Sequence, residues 1–319
     1  MKIDKKEIEK KVRKIAKGTI NSVENTSRKA KELANKSKAI ATQTKDKVAE
    51  KMDANGDGQV DIEDIIVLGL KTPGIRINRE EFLRKEFAKK YKKEIVDKAV
   101  ATTPMQAGMK LEDINKIADE VIKFERNCVS GISAALGTPG GVAMVATIPA
   151  DIIQYYGYML RAAQKLMYLY GFPEINAIEK EHNFDTETLN TLIICLGTMY
   201  GVAGANNAIK VMAKGLAEGV GKKIMKTALT KGTIYPIVKS TAKWFGVKMS
   251  KEMLAGIAKK SIPVIGGVIG GGITFATFKP CCDKLKNTLK DTMLSNPNYE
   301  ETEEVKEIFK NMEYTIKDE

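Results

Sequence analysis

The chain of 319 residues is 43% hydrophobic and 29% charged with a formal charge of +12, which excludes a wholly disordered polypeptide. It leaves room for two or three domains, or one large domain with an appendage. Nine prolines and 6% aromatics favour long helices, so the expected class is all-α, a multi-helix bundle.

Residues 1–51 hold sixteen Lys/Arg against seven Asp/Glu, so +9 of the +12 lies there. From Ile3 to Glu50 there is no proline, and Ile8, Val12, Ile15, Val23, Ala30 and Leu33 recur as a thin helical stripe. The spacing predicts a long basic amphipathic helix that buries too little to be stable alone and docks on an anionic partner. An anionic membrane surface fits, at about 1 kcal/mol per lysine near the surface. The alternative is a solvated helical face. Nucleic acid is disfavoured because the arm has no interleaved aromatics and no duplex-reading motif. The opening "MKIDKKEIEKKVRK" has no apolar h-region, so no cleavable secretory signal is read there. Cys128, Cys195, Cys281 and Cys282 have no C-x-x-C spacing and His182 is the single histidine. A zinc site is therefore not expected, and the location expected is cytoplasmic, peripheral at the inner face of the cell membrane.

The stretch "DANGDGQVDIED", residues 53–64, interrupts the basic chain with five acidic residues. Twelve residues with oxygen-bearing side chains at positions 1, 3, 5, 9 and 12 and glycine at position 6 are what an EF-hand calcium cage requires. The candidate ligands are Asp53, Asn55, Asp57, Asp61 and Asp64, with the backbone carbonyl of Gln59 at position 7 and Gly58 at the sharp turn. Aspartate at position 12 reaches a cation less easily than the usual glutamate, which weakens calcium and favours magnesium as a second candidate ion. Dockerin modules also use aspartate there, but they duplicate the loop, and no second acidic loop occurs in this chain. The alternative is an exposed acidic turn. EF-hands pair through position 8, so a bridge between Val60 and Ile77 is expected.

"IEDIIVLGL" reads as a short apolar helix ended by "KTPG". Asn78 then caps a helix running to about Ala101, with Glu81 at the capping-box position and Ile77 and Phe82 as a hydrophobic staple. Another helix begins near Lys110, with Leu111, Ile114, Ile117, Val121 and Phe124 on one face. Residues 127–150, 188–209 and 261–278 contain no charged side chain. They read as closely packed, glycine-rich helices of a buried core, or as membrane-inserting segments. Asp151, the only charge between Asn127 and Leu160, is read as an N-cap, the alternative being a functional role as polar contact, ligand or partner site. Tyr155, Tyr156, Tyr158, Tyr168 and Tyr170 are expected half-buried with solvated hydroxyls, the alternative being an interfacial membrane anchor. A lysine-rich amphipathic segment, 210–260, and an acidic C-terminal helix complete the chain; the acidic helix is expected to pair with the basic arm.

The segment "GTPGGVAMVATIPADIIQYYGYMLRAAQKLMYLYGFPE", 137–174, and the tail "IPVIGGVIGGGITFATFKPCCDKLKNTL", 262–289, resemble the EcsC family of bacterial proteins. The resemblance spans about residues 75–290 and implies an α-helical protein linked to a transporter locus acting in secretion, with no catalytic residues to carry over. It does not cover the basic arm or the cation loop. The expected organisation is a basic arm (1–51), a cation loop with a short helix (52–82), an EcsC-like helical domain (83–295) and an acidic tail (296–319).

Three classes of function are open to such a chain. The first is a non-enzymatic, calcium-binding protein acting by contact or scaffolding with an unknown protein partner at the membrane surface. The second is a membrane-inserting, pore-like protein using the glycine-rich stretches. The third, an enzyme, is opposed by the absence of G-x-S-x-G, Walker A and dinucleotide fingerprints; "GVIGGG" at 267–272 comes after a proline and no clear strand.

Overall fold

The computed structural model describes residues 53–54, 61–136, 143–175, 179–180, 183–220, 222–246 and 263–317. The chain divides into two compact units, 1–50 and 51–319. The expected helical arm, in the first unit, lies outside the described residues.

The second unit is an all-α bundle. In chain order its helices are α1 (Ile62–Lys71), α2 (Arg79–Phe87), α3 (Lys93–Ala101), α4 (Leu111–Leu136), α5 (Ala143–Leu169), α6 (Thr186–Tyr200), α7 (Ala205–Ala217), α8 (Lys222–Thr230), α9 (235–246), α10 (Pro263–Lys290) and α11 (Glu303–Lys317). A two-residue antiparallel ladder, β1 (Glu179–Lys180) with β2 (Asn183–Phe184), lies between α5 and α6.

The central helix is α6. Asp185 caps its start by accepting from the Thr188 N–H, and Gly201 ends it at φ 75°, a left-handed position that glycine occupies without a Cβ penalty. Between those caps every residue from Thr188 to Met199 is buried. A helix apolar all round must be surrounded, and α5, α7, α8 and α10 pack on it. Residues 188–199 of the charge-free stretch 188–209 are thus core, while Gly201, Ala203 and Asn206 beyond them are exposed.

Helix α10 lies along α4 and α5. Lys286 pairs with Asp119 at 2.6 Å and the Arg126 guanidinium lies 3.9 Å from the Phe275 ring centroid, so α10 runs antiparallel to α4. Adjacent Cys281 and Cys282 are free thiols on α10. "GVIGGG" is also helical here, which removes any phosphate-loop reading.

Close approach explains Gly197. A Cβ there would stand 2.7 Å from Thr241 Cγ2 and 3.2 Å from Ala205 Cβ. Thr241 is fully buried and stiff at χ1, so it yields little. Gly197→Ala should carry an overpacking cost of about 1–3 kcal/mol against a helix-propensity gain of about 1 kcal/mol. In a Thr241→Ala background the same change should become neutral or stabilising. Urea midpoints of the four proteins test this; a stabilising Gly197→Ala in the parent would overturn it.

Four local expectations are corrected. The helix from Asn78 does not run to Ala101; it stops at Phe87 and restarts at Lys93. The break lets Lys90 and Tyr91 reach Asp113 at the start of α4, and α3 folds back so that Arg84 meets Asp97. Phe124 is 59% exposed rather than on the buried face of α4. The buried stripe runs through Ile114, Ala118, Val121, Ile122, Glu125 and Val129, and Phe124 falls on its flank. Asp151 is not an N-cap, because α5 starts eight residues earlier, at Ala143, and carries Pro149 and Asp151 inside it. Nor are the tyrosine hydroxyls generally solvated. Tyr156, Tyr168 and Tyr170 are buried; Tyr170 donates to Asn115 at 2.6 Å and Tyr168 accepts from the Ile175 N–H at 3.2 Å. Burial pushes the Tyr168 hydroxyl up to about 12.

The acidic helix α11 packs on α7 and α8 through Val305, Phe309 and Met312. Its approach is fixed by Lys214, which bonds Glu301 at 2.8 Å and lies 4.3 Å from the Phe309 ring centroid. The arm expected to pair with it lies outside the described residues.

Candidate functional site: the acidic loop and a buried carboxylate

Helix α1 begins at the tenth residue of the acidic loop. Asp61, the ninth, is its N-cap and accepts from the Glu63 N–H at 2.7 Å. Asp64, the twelfth, stands at the third helical position. Its Oδ2 accepts from the Asp61 N–H at 2.9 Å, completing a capping box. Its Oδ1 accepts from the Ala54 N–H at 2.8 Å. One carboxylate therefore ties the start of the loop to its end, and it is fully buried.

The loop is anchored from below. Ile62, Ile65 and Ile66 are fully buried and Leu70 nearly so, and α1 packs on α5 and α6. Gly69 gives α5 a close approach, with Leu160 Cδ1 3.0 Å from where a Cβ would be. Beyond α1, Gln164 holds the returning chain: Oε1 accepts from the Ile77 N–H at 3.1 Å, and Nε2 donates to the Ile75 carbonyl at 3.1 Å. Asn78 caps α2 as expected, accepting from the Glu81 N–H at 2.8 Å.

Of the six candidate ligands, Asp53, Asp61 and Asp64 are described; Asn55, Asp57 and Gln59 lie outside the described residues, as does Val60, the expected partner of Ile77. Asp53 and Asp61 are half-buried. Among the described residues no group of three or more His, Cys, Asp or Glu is placed to hold a metal ion. The three carboxylates have the chemistry of hard oxygen ligands. A carboxylate oxygen carries two lone pairs, so one that accepts an N–H can also face an ion. Calcium and magnesium take oxygen ligands of this kind, but Asp53, Asp61 and Asp64 are not gathered into one such group.

Sequence reasoning misses a second carboxylate. Glu125 on α4 is fully buried, and two cations from consecutive turns of α5 close on it. Arg161 binds it in fork geometry, Nε to Oε2 at 3.0 Å and Nη2 to Oε1 at 3.2 Å, and Lys165 Nζ reaches Oε1 at 2.5 Å. Aromatic rings flank the cations: Tyr158 lies 5.6 Å from the Arg161 guanidinium and Phe82 lies 5.4 Å from Lys165 Nζ. The available signal is a glutamate lying in the apolar stripe of α4, with Arg161 and Lys165 spaced i, i+4 on the next helix. Nearby Cys128 has its thiol pushed up by burial and then by Glu125, and Cys195 is pushed up to about 12 by burial alone. Neither is an activated thiolate.

No protein-family profile matches the chain, and neither a curated protein nor a solved structure matches it.

Proposed function

We propose that this is a non-enzymatic helical protein, EcsC-like in its core, that binds one calcium ion in the 53–64 loop and acts by binding or scaffolding at the cytoplasmic membrane surface. The observation that carries the cation reading is the Asp64 carboxylate, which holds both ends of the loop in register over a helix that starts at the tenth loop position. Preorganised carboxylates lower the ordering cost that a cation must overcome. The basic 1–51 segment supplies attraction to anionic lipid, and the adjoining loop gives calcium a means of ordering the junction.

Calorimetric titration tests the ion. Calcium should bind at one site with a Kd on the order of 10⁻⁵ to 10⁻⁴ M, competed by magnesium, and Asp53→Ala with Asp57→Ala should abolish the heat. An unchanged isotherm in that double variant, or no binding at millimolar calcium, would reject the site.

A second reading, membrane insertion, draws on one specific observation. The antiparallel run of α4, α5 and α10 brings the charge-free C-terminal part of α4 and the N-terminal parts of α5 and α10 to one end of the bundle. At its rim stand Phe124, 59% exposed, and Phe275, 47% exposed and stacked with Arg126, an aromatic and basic collar suited to a lipid interface. The ten residues of α4 beyond Arg126 extend ~15 Å, about one leaflet. Among the described residues no helix is long and apolar enough to cross a membrane. In liposome flotation, extraction by salt supports attachment through the arm; resistance to salt and carbonate supports insertion.

A further inference from the structure

Between the end of α5 and helices α6, α7 and α8 lies a cavity of about 360 Å³ that the cation-loop reading does not use. At ~30 Å³ per molecule that is room for about twelve waters, and it falls within the ~300–1,000 Å³ of small-molecule sites. The buried wall is carbon and sulfur: Met167, Phe172, Met212, Met225 and Leu229 are each no more than 6% exposed. Water held against such a wall makes few hydrogen bonds, so its release to bulk favours an apolar guest. An apolar cavity of ~150 Å³ already binds benzene.

The wall is preformed. Asn190 of α6 donates to the Leu229 carbonyl of α8 at 3.0 Å, and the Cys195 thiol lies 3.2 Å from the Met167 sulfur. Met225 reaches the wall across a missing side chain, because a Cβ on Gly215 of α7 would stand 2.6 Å from its Cε. Three thioethers give the lining a polarizable surface that adapts to aliphatic or aromatic shapes. One polar group interrupts it. Thr191 of α6 lines the cavity and is only 8% exposed, and its hydroxyl has no hydrogen-bond partner among the described residues. The neighbouring Thr188 hydroxyl is engaged, donating to Asp185 at 2.9 Å. The carboxylates at the opening are engaged as well: Asp185 also accepts from the Thr188 N–H, Glu174 stands beside Arg79, and Glu187 has an interaction of its own. The buried wall therefore sets the chemistry of a guest.

We infer that this cavity binds a small, neutral, largely apolar molecule carrying one hydrogen-bonding group, such as an alcohol or ketone on an aliphatic or aryl frame. The frame lies among the methionines, and the Thr191 hydroxyl donates to the guest's oxygen. An ionised head drawn to the same depth loses its hydration with no counter-charge in the buried wall, a far larger cost than a hydroxyl meets.

The test uses the intact protein with methionine methyl groups labelled for NMR, titrated at neutral pH with 1-octanol, n-butylbenzene, n-octanoate and n-octylamine. Octanol and butylbenzene should bind saturably and shift the methyl signals of Met167, Met212 and Met225, with the other methionines as internal controls. Both ions should bind about tenfold or more weakly than octanol. Thr191→Val, which keeps the shape and removes the hydroxyl, should weaken octanol about threefold to tenfold and leave butylbenzene unchanged. Leu216→Trp, which fills the cavity, should weaken both neutral probes. If that variant fails to fold, Thr191→Val still decides the matter, because losing an unpartnered hydroxyl costs the fold little. Four results overturn the inference: no saturable binding of either neutral probe, either ion binding as tightly as octanol, octanol binding that leaves the three methionine signals unmoved, or equal octanol affinity in the parent and Thr191→Val.

Discussion

Glu125→Ala should lower the free energy of unfolding by about 3–5 kcal/mol, a large part of the 5–15 kcal/mol typical of a folded domain. The expectation rests on burial. Glu125 is fully buried and its partners, Arg161 and Lys165, keep side-chain exposures of only 19% and 12%. Deleting the carboxylate leaves two cations on consecutive turns of α5 facing each other across a void, partly withdrawn from water and without that counter-charge. The size of the effect does not mean that the cluster stabilises the fold by that amount, because bringing three charges together out of water has its own desolvation cost. Replacing all three, with Glu125→Leu, Arg161→Met and Lys165→Met, should recover most of the loss. Urea unfolding of the parent, the single variant and the triple variant separates the two statements. A Glu125→Ala protein within about 1 kcal/mol of the parent would mean that the cations find solvent and that the cluster is superficial.

Asp64→Ala should cost about 2–3 kcal/mol in chelator and also remove calcium binding. Asp64 is the partner at the third helical position of the capping box, with Asp61 remaining as the N-cap, so the cost is that of stripping a charged acceptor from two partly buried N–H groups, those of Ala54 and Asp61, at about 1–1.5 kcal/mol each. Asp64→Asn keeps one acceptor and turns an amide N–H towards the other donor, so it should recover only part of the stability and none of the ion binding. The comparison with Asp53→Ala, Asp57→Ala is decisive. That pair should lose calcium while remaining close to the parent in chelator, since the clamp between the loop ends is the Asp64 carboxylate. If Asp64→Ala melts with the parent in the absence of calcium, the clamp contributes nothing and the loop is held by other contacts.

How much of this is legible in the sequence varies with the physics of each element. The all-α class emerges from composition and from the 3.6-residue periodicity of α1 and α4, where apolar side chains do the packing. The cap at Asn78 is readable because it is local, binding the Glu81 N–H three residues on; the reading of the loop as a cation cage does not mark Asp61 as the cap of α1, and the cap expected at Asp151 lies inside α5. The break between α2 and α3 is not readable, because no proline or glycine marks it; it depends on Lys90 and Tyr91 finding Asp113 more than twenty residues later. Hydropathy places Phe124 in the core and gives Glu125 no role for the same reason, since ionic partners on another helix reverse the two. For the acidic loop, spacing supplies the candidate ligands, while the second bond of Asp64, back to Ala54, spans ten residues and belongs to the fold alone.

Helix α6 carries one more consequence. Twelve consecutive residues, Thr188 to Met199, are buried, and Leu192 to Leu196 have no exposed surface at all, so a fluctuation confined to the surface of the bundle does not expose the amides of that inner stretch. Hydrogen exchange along that stretch must wait for the whole second unit to open. Its amide protons would therefore keep time for global unfolding, while those at Ala54 and Asp61 would record local opening of the loop.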